Sequence, residues 1–449
     1  MSEKFDLVVI GSGPGGARAA VQAAKIGKRV AVIEGTRAGG SCVHTGTIPS
    51  KSLREAALAG LRSELAPAML RMRSVIQNEA KVIKQQLKRN HVEFFQGFAS
   101  FLDPHTISIG TGSKKTQISG DHFVIATGTR PNRPAEFPFK HAGVFDSDGI
   151  LALKKRPKRI AVFGAGVIGC EYASIFAHLG SKVFLIDRRA ELLRSVDQEL
   201  VSALEAEFAA RGVELFLEAE IDVTKCFAKG STKLVFKVNG KNLPVDAALV
   251  CLGRLPNTEK LNLPAAGVTL DAKGNISVDP VTYQTATKHI YAVGDVIGPP
   301  ALAAASGEQG RLAACRIFGL PCAEFPRSFP TGIYTIPEIS CVGAHETELR
   351  EKGIPYVVGH AYYRELARGL IMGEENGFVK LLVHRESKKL LGIHAIGAQA
   401  TELIHIGQIV FALNASVEFL VANVFNYPTL AEAYKVAALN AMNKLSAQT

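Results

Sequence analysis

The sequence predicts an α/β fold built from two copies of a strand–turn–helix–strand unit, followed by a smaller α+β domain, and three observations carry this prediction. Residues 5–34, FDLVVIGSGPGGARAAVQAAKIGKRVAVIE, are echoed by residues 158–187, KRIAVFGAGVIGCEYASIFAHLGSKVFLID. DHFVIATGTRPN at 121–132 is echoed by VDAALVCLGRLPN at 245–257, so the duplication extends beyond the first units. From about residue 327 the pattern changes to short strands with a helical end, from PTGIYTIPEISCVG to YPTLAEAYKVAALNAMNKL.

In each copy an apolar strand runs directly into G-x-G-x-x-G, at Gly11, Gly13 and Gly16 and again at Gly164, Gly166 and Gly169. The first glycine permits the tight turn. The second lets a pyrophosphate approach the backbone, and the third lets helix and strand pack closely. The helix that follows, entered through Pro14 and Gly15 or through Val167, turns free N–H groups and the positive end of its dipole toward the phosphates. A second strand then ends in Glu34 or Asp187, at the spacing of an acidic residue that accepts hydrogen bonds from ribose hydroxyls. One such glycine pattern is weak evidence; two in full context predict two Rossmann-like dinucleotide sites.

The remaining elements follow in order. SLREAALAGL and NEAKVIKQQLKRN read as helices, and HVEFFQGFASFLD and HTISIG as short strands leading to DHFVIATGTRPN. After the second copy, HIYAVGDVIGPPALAAASGEQGRLAACRIFG reads as a strand, a turn and a helix beginning near Ala301 and Leu302. The predicted domains are residues 1–145 and 269–326 as two parts of one dinucleotide domain, 146–268 as the second, and 327–449 as the α+β domain.

A chain of 449 residues with 47% hydrophobic content has room for several cores. No run approaches the roughly 18 apolar residues of a membrane span, and the N-terminal residues lack the pattern of a secretory signal. The expectation is a cytoplasmic protein that binds no membrane. Seven widely spaced cysteines, at 42, 170, 226, 251, 315, 322 and 341, fit neither a disulfide framework nor a metal site. The formal charge is +11, but the densest basic run, KKRPKR at 154–159, contains a proline and precedes a strand, so it reads as a solvated linker, not a nucleic-acid patch.

GGSCVHTGTIPSK at 39–51 holds half of a redox motif: Cys42 stands alone, with Thr47 where a second sulfur would be. Together these segments resemble the two-dinucleotide flavoprotein disulfide reductases, which include glutathione reductase and dihydrolipoamide dehydrogenase. The resemblance implies FAD at the first glycine turn, NAD(H) and NADP(H) at the second, and Asp295 of YAVGDV near the ribityl chain. It adds Gly40, Ser41, Thr127, Gly128, Gly253, Arg254, Gly294 and Leu302 to the cofactor-binding residues, and lets the helix near Ala301 aim its N-terminus at the flavin.

Both disulfide signatures of that family are altered here. A Cys-x4-Cys pair reads Cys42 and Thr47, and the C-terminal His-Pro-x3-Glu reads Tyr427 to Glu432. A dithiol relay needs two sulfurs and a base near neutral pKa. Within the family the chain is most similar to the soluble, Si-specific pyridine nucleotide transhydrogenases, through GVIGCEYASIF, YAVGDVIG, PTGIYTIPEIS, IHIGQ and FNYPTLAEAY. That implies ping-pong hydride transfer between NADPH and NAD⁺ through FAD, without a disulfide.

The resemblance puts Lys51 near flavin N5 with Glu171 as its counter-ion; the bland reading is a surface lysine and a glutamate in the first turn of a helix. Asp187 suits the 2′-OH of NAD, and Arg188 and Arg189 suit a 2′-phosphate, though arginines after a strand are commonplace. Cys42 is either a tuning thiol near the flavin or a small space-filler. Tyr427 and Glu432 would come from a partner subunit, in catalysis or in packing, which implies a homodimer or larger homo-oligomer. The alternatives are a quinone-reducing NAD(P)H dehydrogenase of the same fold and a redox-inactive flavin-binding interaction protein.

Overall fold

The computed structural model describes residues 3–60, 65–111, 114–223, 234–326 and 328–447. Its first sheet is centred on the strand Glu3–Ile10, which lies parallel between Val30–Glu34 and Lys114–Ile125, with Leu7 opposite Val30 and Ile10 opposite both Ile33 and Ile125. Leu7 to Ile10 are buried throughout, because helices cover one face and further strands and loops the other. Glu93–Gln96 extends the parallel edge, while Ala99–Asp103 and Thr106–Thr111 fold back as an antiparallel hairpin.

The chain leaves this sheet and returns to it much later: Ile290–Ala292 pairs in parallel with Phe123–Ile125. The helix Ala303–Ile317 then packs on the helix Pro14–Ala24. Their backbones touch at a glycine pair, since a Cβ on Gly310 would stand 2.0 Å from Gly15 O.

The second sheet is wholly parallel, in the order Glu214–Phe216, Lys182–Ile186, Arg159–Phe163, Ala247–Val250, Val144–Asp146. Its helix Val167–His178 is buried from Gly169 to Phe176 and joins the largest apolar core of the molecule. The two echoed segments pair with each other: Thr129–Pro131 and Arg254–Pro256 form an antiparallel ribbon between the sheets. The third sheet is antiparallel, ordered Thr331–Ile333, Glu338–Gly343, Leu390–Gly397, Phe378–His384, Tyr356–Tyr362. The helices Ala400–Ala412 and Glu432–Ser446 lie on it. Gly359 permits the second contact, because a Cβ there would stand 2.1 Å from Ala437 O.

The basic run forms a connection into the strand Arg159–Phe163: Pro157 is buried, Arg156 Nη1 donates to Gly180 O at 2.6 Å, and Lys154, Lys155 and Lys158 are exposed. Among the described residues no helix is long and apolar enough to cross a membrane. Six cysteines are described and all are free thiols; Cys226 lies outside the described residues.

Candidate functional site

The six motif glycines divide by physical role. Gly11 and Gly164 adopt φ +105° and +107°, and a Cβ on either would stand within 2.5 Å of the carbonyl oxygen of Ala126 or Cys251. Gly16 and Gly169 lie against the carbonyls of Gly11 and Gly164, at 1.9 and 1.7 Å from a would-be Cβ. Gly13 and Gly166 differ from both pairs. Their backbones are ordinary, with φ −62° and −80°, and a Cβ would meet nothing within 4 Å. Nothing in the protein requires glycine there, so the space they keep open fits a ligand backbone.

The two helices that start at these glycines carry no side-chain cap and no acidic residue in the first turn, so their N–H groups face the open space. The helix Ala303–Ile317 is uncapped in the same way. It begins two residues later than the sequence predicts: Ala301 has φ +51° and Leu302 is the N-cap, which leaves both ahead of the helix. The cradle therefore has the steric and electrostatic character that a dinucleotide pyrophosphate needs, and the residues present fit FAD and a nicotinamide dinucleotide.

The two acidic strand ends are built alike. Glu34 Oε2 accepts from Ser12 N at 3.0 Å and Ser12 Oγ at 2.6 Å, and Oε1 from Thr36 N at 2.8 Å and Thr36 Oγ1 at 3.0 Å. Asp187 Oδ2 accepts from Ala165 N and Arg189 Nη2, both at 2.6 Å, and Oδ1 from Arg189 N at 2.9 Å and Arg189 Nε at 3.0 Å. All four acceptor sites of each carboxylate are filled, so a ribose hydroxyl must replace one protein donor. Burial opposes ionisation of Asp187, but the Arg189 side chain and the two amides outweigh it and hold the carboxyl below its usual range. Arg189 is half exposed, so its fork is the donor most easily released.

Lys51 and Glu171 meet. Lys51 Nζ donates to Glu171 Oε2 at 2.6 Å and to Ser50 Oγ at 3.3 Å, and stands 4.7 Å from the Tyr334 ring centre. Glu171 Oε1 accepts the Tyr334 backbone N–H at 2.9 Å. Glu171 sits in the second turn of its helix and is buried, so the first-turn surface reading does not describe it. Lys51 comes from the helix Thr47–Leu58, so the pair, with Tyr334, joins segments associated with the first sheet, the second parallel sheet and the antiparallel C-terminal sheet. Cys42 is half-buried beside the Thr47 hydroxyl; burial pushes its thiol up, and the hydrogen bond with Thr47 only partly opposes this.

Thr127 and Asn257 exchange two hydrogen bonds of 2.9 Å, binding one echoed segment to the other. Arg254 Nε donates to Thr129 Oγ1 at 2.8 Å, and that hydroxyl donates to Asp295 Oδ2 at 3.2 Å. Gly294 N donates to Gln309 Oε1 at 2.8 Å. Gly40 approaches Gly13, with a would-be Cβ 3.2 Å from Gly13 Cα, so Gly40 and Ser41 border the first cradle. Arg188, next to Asp187 in the second unit, is exposed. Gly128 and Gly253 take φ +64° and +89° at the ribbon ends.

Tyr427 is 74% exposed, and the described chain does not place it against the Lys51–Glu171 pair. Glu432 Oε2 is buried without a hydrogen-bond partner. A cleft of about 390 Å³ lined by Arg54, Glu207, Arg211, Glu338 and Glu374 contains none of the motif glycines. Sequence reasoning missed Ser12, Thr129 and Tyr334. All three lie inside quoted segments, Tyr334 in PTGIYTIPEIS, but Tyr334 acts partly through its backbone N–H, which no side-chain pattern signals.

Comparison with known proteins agrees with this geometry. Residues 5–310 match the family model for pyridine nucleotide-disulphide oxidoreductases, and residues 329–438 match the dimerisation domain of the same family. The chain is 48% identical to a soluble pyridine nucleotide transhydrogenase of Mycobacterium bovis, over 99% of this chain and 98% of that one. It is 44% identical to the protein of that name from Pectobacterium atrosepticum, over 98% of each. Among solved structures it resembles the HOCl-induced flavoprotein disulfide reductase RclA from Escherichia coli, determined as a Cu(II) complex, with TM-score 0.92 at 26% identity over 97% of this chain and 99% of that one. LpdA from Mycobacterium tuberculosis gives TM-score 0.90 at 25% identity over the same shares. With its two glycine cradles, its ribbon-linked sheets and its antiparallel C-terminal sheet, the chain belongs to the pyridine nucleotide-disulphide oxidoreductase family.

Proposed function

We propose that this protein binds FAD and transfers hydride between NADPH and NAD⁺, the activity named for its curated relatives. The observation that carries this reading is the pairing of Cys42 with Thr47 beside an intact Lys51–Glu171 pair. A hydroxyl cannot exchange disulfides, and a thiol kept protonated by burial is a poor nucleophile, so electrons leave by a route that needs no sulfur. FAD, when bound, supplies the two-electron carrier between the two nicotinamides.

The chain's own residues then have defined tasks. Gly11, Gly13, Pro14, Gly15 and Gly16 hold one pyrophosphate against a free helix terminus; Gly164, Gly166, Val167 and Gly169 hold the other. Asp295, fixed through Thr129 and Arg254, and the uncapped helix Ala303–Ile317 complete the FAD site. Lys51 presents a fixed ammonium at the reacting edge, because Glu171 Oε2, Ser50 Oγ and the Tyr334 ring hold it. Arg189 serves both nucleotides: paired with Asp187 it leaves an NAD-type pocket, and released it offers a fork to a 2′-phosphate beside Arg188.

The reading includes a homodimer. Ile409, Leu413, Phe419 and Val424 expose apolar side chains within the segment matching the dimerisation domain, and large exposed apolar side chains there suit burial against a second copy. Tyr427 and Glu432 lie in the same segment and would reach the partner's site. The domain limits follow the sequence except that the strand Val144–Asp146, paired with Ala247–Val250, moves the start of the second domain back to residue 144, and nicotinamide nucleotide substrates favour a cytoplasmic location. Stopped-flow reduction of the yellow protein by NADPH, followed by mixing with NAD⁺, tests the reaction. Rapid return of the flavin absorbance with NADH formation supports it; electrons retained until a quinone or disulfide is added would refute it. Sedimentation equilibrium reads the dimer.

A further inference from the structure

A cluster that contains none of the glycine-cradle residues has donor groups that the hydride reaction does not use. Asp197 caps the helix Gln198–Ala210 through Oδ1, which accepts Glu199 N at 3.1 Å. His345 precedes the helix Glu346–Glu351, and His394 lies in the strand Leu390–Gly397. One ring nitrogen of each histidine and one carboxylate oxygen of Asp197 all lie within 4.8 Å of one another, and the imidazole centres are 5.2 Å apart.

The hydrogen bonding leaves these donors bare. His394 is fully buried, and its Nε2 stands 3.0 Å from Ala344 O. A carbonyl only accepts, so Nε2 carries the proton and Nδ1 presents a lone pair. That Nδ1 is buried with no hydrogen-bond partner, as is Nδ1 of His345. Asp197 Oδ1 is engaged by Lys380 Nζ at 2.8 Å, while Oδ2 has only a long 3.4 Å approach from Glu346 N.

The surroundings favour a cation. The fully buried Lys380 faces three carboxylates, with Nζ 2.8 Å from Asp197, 2.9 Å from Glu199 and 2.5 Å from Glu346. Among the described residues, only the exposed Arg350 forms a further full ion pair with these carboxylates, at Glu346, and His360 meets Glu199. The seam is negative in sum. An imidazole bound to metal typically donates its other N–H to a carbonyl, which is the arrangement of His394 and Ala344.

We propose that Asp197, His345 and His394 bind a divalent transition-metal cation of the zinc type. Two imidazoles and a carboxylate make a three-ligand set with a fourth position for water, and nitrogen donors select against magnesium and calcium. Tetrahedral donors at about 2.1 Å from one ion stand about 3.4 Å apart, so these donors, now within 4.8 Å of one another, draw together by up to about 1.4 Å on binding. Asp197 belongs to the second parallel sheet's unit and both histidines to the antiparallel-sheet domain, so the ion clamps that seam, away from Lys51.

The test uses chelator-treated, FAD-loaded protein without a histidine tag, titrated with Zn²⁺ by calorimetry and with Co²⁺ by visible absorption. One ion per chain is expected, with a Co²⁺ spectrum of low coordination number, and a Zn²⁺-dependent rise in melting temperature. His345→Ala, at a half-buried position, should weaken Zn²⁺ by on the order of tenfold or more and abolish the melting shift, with FAD content unchanged. His394→Asn should do the same. Equal Zn²⁺ affinity in wild type and His345→Ala, or no saturable binding by wild type, overturns the site. Neither readout depends on turnover, so failure here is separate from failure of the hydride-transfer reading.

Discussion

Lys51 Nζ stands 2.6 Å from Glu171 Oε2, a contact between residues 120 positions apart on helices of different sheets. Exposed ion pairs contribute little, about 0–1 kcal/mol, but Glu171 is buried and its second oxygen holds the Tyr334 amide. The carboxylate thus fixes both a cation and a backbone segment. Its removal has consequences that a surface glutamate's would not.

Lys51→Met should lower kcat for NADPH to NAD⁺ transfer by on the order of a hundredfold, the scale of losing one preorganised electrostatic donor. The FAD-to-protein ratio should stay the same. Glu171→Gln should act in the same direction and less strongly, because the amide keeps the shape and loses the charge. Steady-state turnover with a nicotinamide analogue measures both; a kcat for Lys51→Met within about twofold of wild type would return Lys51 to the surface-lysine reading.

The glycines make a paired prediction. Gly13→Ala meets open space and an ordinary φ, so unfolding should change by no more than about 1 kcal/mol while FAD dissociates more readily. Gly16→Ala drives a Cβ to 1.9 Å from Gly11 O and should cost about 3 kcal/mol or more. Denaturant melts with FAD fluorescence distinguish the two. Equal destabilisation would mean that Gly13 serves the fold and not a ligand.

Arg189→Ala frees two acceptor sites on Asp187 and removes the fork. The Michaelis constant for NADPH should rise on the order of tenfold or more, one charge-assisted contact being worth about 1.5–3 kcal/mol. That for NADH should change far less. Combining it with Arg188→Ala should widen the gap, and parallel rises for both nucleotides would show that the arginines do not discriminate.

Burial raises the Cys42 thiol, so it is protonated at neutral pH and becomes thiolate only above the ordinary thiol range. Alkylation by iodoacetamide should therefore be slow at pH 7 and accelerate only as pH climbs past the ordinary thiol range, following the thiolate. Cys42→Ser should retain most NADPH to NAD⁺ turnover. Fast alkylation at pH 7 together with loss of turnover in the serine variant would revive a sulfur mechanism.

The glycine turns were legible because each is a local pattern with a local cause, and a second copy checked the first. Asp187 and Arg189 were legible as chemistry, but their mutual fork was not, since a sequence does not say which donors a carboxylate already has. Glu34 shows the same limit: its place at the strand end was readable, its four protein donors were not. The seam around Lys380 was missed altogether. Its members at 197, 199, 346, 380 and 394 share no periodicity, and only the packing of two units brings them together. The late start of the helix at Ala303 reflects Ala301 in the left-handed region after two prolines, where a residue-by-residue propensity reads only alanines.

The late return of Ile290–Ala292 to the first sheet sets an order of events at the ribosome. When residue 250 has been made, the second parallel sheet has all its strands, while the first still lacks its final strand and the helix that packs on Pro14–Ala24. The N-terminal sheet thus waits for a segment encoded almost three hundred residues later, and the part translated first is finished after the part translated second.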